Sequence, residues 1–263
     1  MNLVDVHCHL THELFQKDLD QVIQRAKLAG LKSIICSGVN RPSNMEALAI
    51  AKKYDLVKCS FGLYPIDLLG LGPDETGITK QEGKIDLEEE LDFIKKNKNN
   101  IVAVGEAGLE FKWDKEQHQK QKENFQRIIE FVEKLNKPLI IHSRNAELDV
   151  FEMLESSSLK KNKVILHCFE GRKHLLKKAT DSGYSFTIPV KVVKMQHFQL
   201  LTEIAPLTQL FTETDAPWMS PVTGGRNEPA FVLETIKKIA EIKKISSEEV
   251  ADQIWKNYQT VFE

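Results

Sequence analysis

The residues best suited to chemistry open this chain, in Asp5-Val6-His7-Cys8-His9. On a β-strand alternate side chains share a face, so His7 and His9 project together and Cys8 projects opposite. Two imidazoles so placed can chelate one metal ion. Four more ligand-type residues each follow a short apolar run: Glu106 after Val102-Ala103-Val104-Gly105, His142 after Leu139-Ile140-Ile141, His167 after Val164-Ile165-Leu166, and Asp215 after Phe211-Thr212-Glu213-Thr214. Singly, a histidine or acid in such a place is an ordinary core residue or helix cap. As a set they gather four of the chain's eight histidines and two acids at equivalent positions. Such a set exceeds what one tetrahedral catalytic ion takes, namely three protein groups and water. It suits two divalent ions about 3.5–4 Å apart, clamping the attacking and leaving oxygens of a displacement. Because a carboxylate can bridge, Glu106 is read as shared, with His7, His9 and Asp215 on one ion and His142 and His167 on the other. The mixed nitrogen and oxygen donors permit zinc or manganese and admit magnesium.

The elements that must position these groups are eight short apolar runs: Leu3–His7, Ser33–Ser37, Val57–Leu63, Ile101–Gly105, Leu139–His142, Val164–His167, Tyr184–Ile188 and Leu210–Glu213. Near-continuous apolar runs suit parallel strands covered on both faces. Helical stripes lie between them, such as Phe15, Leu19, Val22, Ile23 and Ala26 ahead of a stopping Gly30. Phe125, Ile128, Ile129, Val132 and Leu135 form another, with Pro138 expected to end it. A last helix opens at the capping box Ser246-Ser247-Glu248-Glu249. Eight strands alternating with helices predict an α/β fold, a single (β/α)8 TIM-type barrel with the metal site at the C-terminal strand ends. With no linker-like break and no internal repeat, residues 1–263 read as one domain. The glycine-bearing segment 68–84, with Gly70, Gly72, Gly77 and Gly83, falls on the same rim, as a passive insertion or a loop covering substrate.

A net charge of −2, with 41% apolar and 28% charged residues, belongs to an ordinary protein with a sizeable core and not to one that coats nucleic acid electrostatically. No segment has the pattern of a signal peptide or the length of a membrane span. Cys8, Cys36, Cys59 and Cys168 all fall in expected strands and read as buried, reduced thiols of a cytoplasmic protein. His12, His118, His174 and His197 are expected on the surface.

The chain resembles the TatD-related metal-dependent deoxyribonucleases, within the amidohydrolase-like barrels, over almost its whole length. The resemblance rests on Asp5-Val6-His7-Cys8-His9, Gly105-Glu106-Ala107-Gly108-Leu109-Glu110, Ile141-His142-Ser143-Arg144, His167-Cys168-Phe169, Glu213-Thr214-Asp215-Ala216-Pro217, Arg226-Asn227-Glu228-Pro229 and Asn257 to Phe262. It implies hydrolysis of DNA phosphodiesters, typically from the 3′ end, with His7, His9, Glu106, His142, His167 and Asp215 as metal or catalytic residues. Asp215 is placed for general-base work on the attacking water. There are three departures. Gly62-Leu63-Tyr64-Pro65 stands where the family has histidine before proline, Glu110 replaces an aspartate, and Pro189-Val190-Lys191 replaces a run of small residues.

Expected substrate contacts are Arg144 and Arg226 for phosphate, with Lys191 and Arg172 behind them, and Phe169 and Trp218 for bases. Tyr64 is a further candidate through its family position. The basic run Lys95-Lys96-Asn97-Lys98 ends a helix as a solvated face. The leading expectation is a DNA-cleaving enzyme acting on single strands or ends, with no obligate protein partner. The alternative keeps the metals and changes the bond, to an ester or amide hydrolase such as a D-aminoacyl-tRNA deacylase.

Overall fold

The computed structural model describes residues 1–71, 77–81 and 85–263. Its strands are β1 (Leu3–Cys8), β2 (Leu31–Ser37), β3 (Val57–Leu63), β4 (Ala103–Glu110), β5 (Leu139–Arg144), β6 (Val164–Leu166), β7 (Ser185–Pro189) and β8 (Leu210–Glu213). All pair in parallel in chain order, β1 through β8. Side-chain and backbone hydrogen bonds complete the ring. The Asp215 N–H donates to the His7 carbonyl at 3.0 Å, the His9 N–H to that of Ala216 at 2.8 Å, and the Thr212 hydroxyl to that of Val4. This is the expected (β/α)8 barrel.

Every residue of β1, β4, β7 and β8 is buried, which is the signature of strands covered on both faces. The helices that cover them are amphipathic. In α1 (Leu19–Ala29), Val22, Ile23 and Ala26 face inward, and Gly30 ends the helix at φ 98°, a left-handed turn that glycine adopts without strain. Phe15 precedes that helix in a short 3-10 turn. After α2 (Arg41–Lys53), α3 (Pro65–Leu68) and α4 (Leu87–Lys96), helix α5 (His118–Leu135) buries Phe125, Ile128, Ile129 and Val132. It stops at Asn136, left-handed at φ 56°, two residues before the expected Pro138, because asparagine tolerates that turn. Helices α6 (Glu147–Glu155), α7 (Lys173–Asp181), α8 (Gln196–Ile204) and α9 (Val232–Lys243) continue the pattern. The last, α10 (Ser247–Phe262), starts at the Ser246–Glu249 capping box. It seals the end of the barrel away from the site. Tyr258 hydrogen-bonds Ser33 at 2.7 Å, and the Asn257 amide donates to the carbonyls of Leu207 and Leu210.

Two irregularities matter for the site. In β1, Asp5 pairs with Ile34 and Cys8 with Cys36, so three steps on one strand match two on its neighbour. In β4, Val104 and Ala107 pair with Leu139 and Ile141 on one side and with Phe61 and Leu63 on the other, again three steps against two. These are β-bulges, which re-aim side chains. They fall beside His7 and Glu106. The second also extends β4 beyond the expected Gly105, so Glu106 stands inside the strand and not after it. Of segment 68–84, residues 72–76 and 82–84, with Gly72 and Gly83, lie outside the described residues. Residues 77–81 pack on the strand ends, with Ile78 buried against Val39, Tyr64 and Ile66, and the Asn40 amide donating to the Thr79 carbonyl and to Asp67.

Candidate metal centre

All six expected ligands meet at the C-terminal mouth of the barrel. Glu106 stands between two groups of histidines. Its Oε1 lies 3.3 Å from His9 Nε2 and 3.8 Å from His7 Nε2, and its Oε2 lies 3.2 Å from His142 Nδ1 and 3.7 Å from His167 Nε2. His7 Nε2 and His9 Nε2 are 3.1 Å apart, and Asp215 Oδ1 is 3.6 Å from each. Donors held about 2.0–2.1 Å from a tetrahedral ion are roughly 3.3 Å from one another, so these separations are those of ligands around a shared cation. Three of the clusters that could hold an ion are built from these six, the buried His7–His9–Glu106 and Glu106–His142–His167 and the partly exposed His7–His167–Asp215. The donor set fits divalent metal, with one carboxylate oxygen turned to each half.

The ring nitrogens of His7, His142 and His167 that face away from the centre are held. Ser37 Oγ lies 3.0 Å from His7 Nδ1, Glu110 Oε2 3.0 Å from His142 Nε2, and Glu213 Oε2 2.7 Å from His167 Nδ1. Such partners fix the ring and the tautomer of a ligating histidine. Asp5 accepts from the Thr214 N–H, the Thr214 hydroxyl and the His7 N–H, lacing β1 to the turn that carries Asp215. Asp215 itself adopts φ 55°, which aspartate tolerates better than most residues. None of Asp5, Ser37, Glu110 or Glu213 was singled out for this part, although a buried acid ending an apolar strand, as Glu213 does, was a signal available in the sequence.

Burial disfavours charge throughout the cluster, yet its members diverge. Desolvation, reinforced by neighbouring imidazoles, holds His7 well below the usual histidine range. Desolvation would raise Glu106, but the surrounding histidines prevail and hold its carboxyl well below the ordinary range. Burial also opposes a charged His142, but hydrogen bonds to Glu106 and Glu110 outweigh it and lift the imidazole to about 10. Glu213 does the same for His167, to about 9.

The centre opens into a cavity of about 370 Å³ lined by Glu106, His142, His167 and Asp215, together with Ser143, Arg144, Trp113 and Trp218. Arg144 and Trp218 are therefore where a substrate would meet them. The other expected contacts are elsewhere. Arg226 is committed to a bidentate pair with Asp18 at 2.7 Å and to the Leu14 carbonyl, with its guanidinium over the Phe15 ring. Phe169 is fully buried against Phe186 and has no face to offer a base. Tyr64 is also buried, its ring edge-on to His142 at 5.1 Å, so it touches a ligand residue and not the cavity. Lys191 follows β7 in a one-turn 3-10 helix, and Arg172 is exposed ahead of α7; neither lines the cavity.

His12, expected on the surface, is 5% exposed. Its ring is edge-on to Trp218 at 5.3 Å, and Trp218 in turn meets His9 at 5.1 Å. Gly77, at φ 94°, makes room for it, since a Cβ there would lie 2.3 Å from the imidazole. His118 and His197 are half-buried, the first stacked on Phe111 and the second beside the Phe169 carbonyl; His174 is exposed. All four cysteines are free; Cys8, Cys36 and Cys59 are buried. Cys168 instead follows β6, lines the cavity and donates to Glu213.

A family model described as TatD related DNase matches residues 4–263. The chain belongs to the TatD-related DNase family. A human protein named deoxyribonuclease TATDN3 is 31% identical over 268 residues, covering 100% of this chain and 95% of that one. An uncharacterized metal-dependent hydrolase of Methanocaldococcus jannaschii is 34% identical over 254 residues, covering 97% and 94%. In fold, the TatD homologue YjjV of Escherichia coli superposes with a TM-score of 0.87 at 24% identity, covering 99% of this chain and 97% of that one. TatD family membership makes the protein a metal-dependent hydrolase. No helix among the described residues is long and apolar enough to cross a membrane.

Proposed function

We propose that the protein is a deoxyribonuclease that uses two divalent ions, zinc, manganese or magnesium, to hydrolyse phosphodiesters at single-stranded DNA ends, in the 3′ to 5′ direction. The observation that carries this reading is Glu106, one carboxylate with an oxygen turned to each of two histidine pairs. His7, His9 and Asp215 would hold one ion, His142 and His167 the other, and Glu106 both. When bound, such ions polarise a phosphoryl group and lower the pKa of attacking water.

The chain's own groups supply the rest. Asp215 has a side chain 17% exposed at the cavity, with its Oδ1 toward the His7–His9 pair. It is placed to take the proton as water oxygen bonds to phosphorus and the ester P–O bond breaks. Arg144 is placed to grip a non-bridging phosphate oxygen through its forked guanidinium. The same geometry would serve an aminoacyl ester, but the family and the human relative's name support the phosphodiester. On this reading residues 1–263 act as one catalytic unit, and the four free thiols suit a reducing cytoplasm.

The test is a panel of single-stranded DNA, duplex DNA, RNA and aminoacyl-tRNA with each of the three metals, using Asp215→Asn as the blank. The expected result is DNA cleavage that falls by about 10²–10⁴-fold in the blank. Cleavage undiminished in Asp215→Asn, or ester turnover without DNA cleavage, would sink the proposal.

A further inference from the structure

The mouth of the barrel carries aromatic surface that the metal centre does not use. Trp113, 56% exposed, is the only exposed aromatic side chain among the described residues, and it lines the cavity. It stands on the loop after β4, whereas Trp218 stands on the loop after β8. Strands four places apart in a ring of eight stand on opposite sides, so the two indoles bound the cavity from opposite rims.

Both tryptophans are tied to the centre, Trp113 through its backbone and Trp218 through its ring. The Lys112 and Trp113 N–H groups donate to Glu110 Oε1 at 2.8 and 3.2 Å, while Oε2 of the same carboxylate holds His142. The next residue, Asp114, accepts from the N–H groups of Glu116 and Gln117 and from the Gln121 amide, which makes the loop rigid. Trp218 is wedged edge-on against His9 and His12. Beside them lies uncommitted polar chemistry. Ser143, 7% exposed, has a buried hydroxyl without a hydrogen-bond partner. Arg144 forms no ion pair among the described residues, whereas Arg25, Arg41, Arg127 and Arg226 are each paired with a carboxylate.

Indole faces accept any nucleobase, because every base presents a π surface. A base inside a duplex is stacked and cannot reach them. One free guanidinium is too little to track a duplex backbone, and a 370 Å³ cavity is at the small end for ligand sites. We infer that Trp113 and Trp218 form a base-gripping subsite that selects an unpaired terminal nucleotide, with Arg144 and Ser143 on its phosphate. This deepens the phosphodiesterase reading above and rests on it.

The test compares three substrates of the manganese-loaded enzyme: a single-stranded oligodeoxynucleotide, the same strand ending in an abasic residue, and a blunt duplex. The base-bearing end should be cleaved with a kcat/KM about tenfold above the other two. Trp113→Ala should bring it down toward the abasic rate, and Trp113→Phe should restore most of the preference. A phosphorothioate-ended strand should quench wild-type tryptophan fluorescence, and the abasic version should not. Equal cleavage of base-bearing and abasic ends, or a preference that survives Trp113→Ala, overturns the subsite and leaves the hydrolase standing. No cleavage with quenching that depends on Trp113 keeps the subsite and removes the deoxyribonuclease. Neither cleavage nor quenching removes both.

Discussion

The two halves of the proposed metal centre are each built on a histidine pair, in different electrostatic settings. His7 and His9 come from one end of β1, and His7 is backed by the neutral hydroxyl of Ser37. His142 and His167 come from neighbouring strands β5 and β6, and each is backed by a buried carboxylate, Glu110 or Glu213. Burial, reinforced by the neighbouring imidazoles, keeps His7 neutral, whereas the acids outweigh burial at His142 and His167 and leave them holding protons before metal arrives. The lesson is that what stands behind a ligand decides its charge. The first half is ready for a cation, and the second must shed protons to take one.

The bridge tests the comparison most severely. Glu106→Gln alters the one group proposed to serve both halves, so activity should fall by at least about 10³-fold, the equivalent of several kcal/mol of electrostatic stabilisation. Metal analysis of the purified variant should show both ions reduced. Loss of only one would mean that the halves load independently.

The groups behind the ligands should rank by charge. Glu110→Gln and Glu213→Gln should each weaken metal affinity by about 10–100-fold, and Ser37→Ala by less. Competition against a chromogenic chelator measures this, and an equal loss in all three variants would erase the distinction between the halves. Glu110→Asp restores the residue usual in the family but shortens the reach to His142. It should therefore lie between Glu110 and Gln.

Proton release sharpens the contrast further. With His142 lifted to about 10 and His167 to about 9, both are protonated at pH 7, and a metal ligand must be neutral. Uptake by that half should release up to two protons at pH 7, and its affinity should climb with pH until about 10. His7 has no proton to give up there, so uptake on its side should release fewer. Calorimetry in buffers of differing ionisation heat counts these protons, and equal release by both halves would contradict the assignment.

The smallest effect is expected outside the centre. Arg226→Ala breaks the pair with Asp18 at a partly exposed site and should cost about 1 kcal/mol or less of stability. Its kcat/KM should not change. Arg144→Ala, by contrast, should raise KM for DNA without altering the melting temperature.

Much of this was legible in the chain because period and position are local properties. Seven of the eight strands begin or end within a residue of the apolar runs at Leu3, Ser33, Val57, Leu139, Val164, Tyr184 and Leu210. The expected β4 is too short because the apolar run stops at Gly105, ahead of Glu106 and Gly108. In the fold they lie in a bulged strand, where a Cβ at Gly105 would lie 2.6 Å from the Ile140 carbonyl. The convergence of the six candidate ligands was visible from residue type at strand ends. Ser37, Asp5 and the true place of Arg226 were not, since each depends on a partner distant in sequence. Phe169 and Tyr64 show the reverse, because neither adjacency to a ligand in sequence, as for Phe169, nor family position, as for Tyr64, says which way a ring turns.

Gly77 carries no donor and stands far along the chain from every ligand, yet its bare α-carbon leaves the notch that the His12 ring occupies. A methyl group there would press the imidazole toward Trp218, and the indole leans on His9. Spacing within the cation cage is thus set partly by a hydrogen atom three side chains away. Any redesign of this insertion must begin by leaving that vacancy intact.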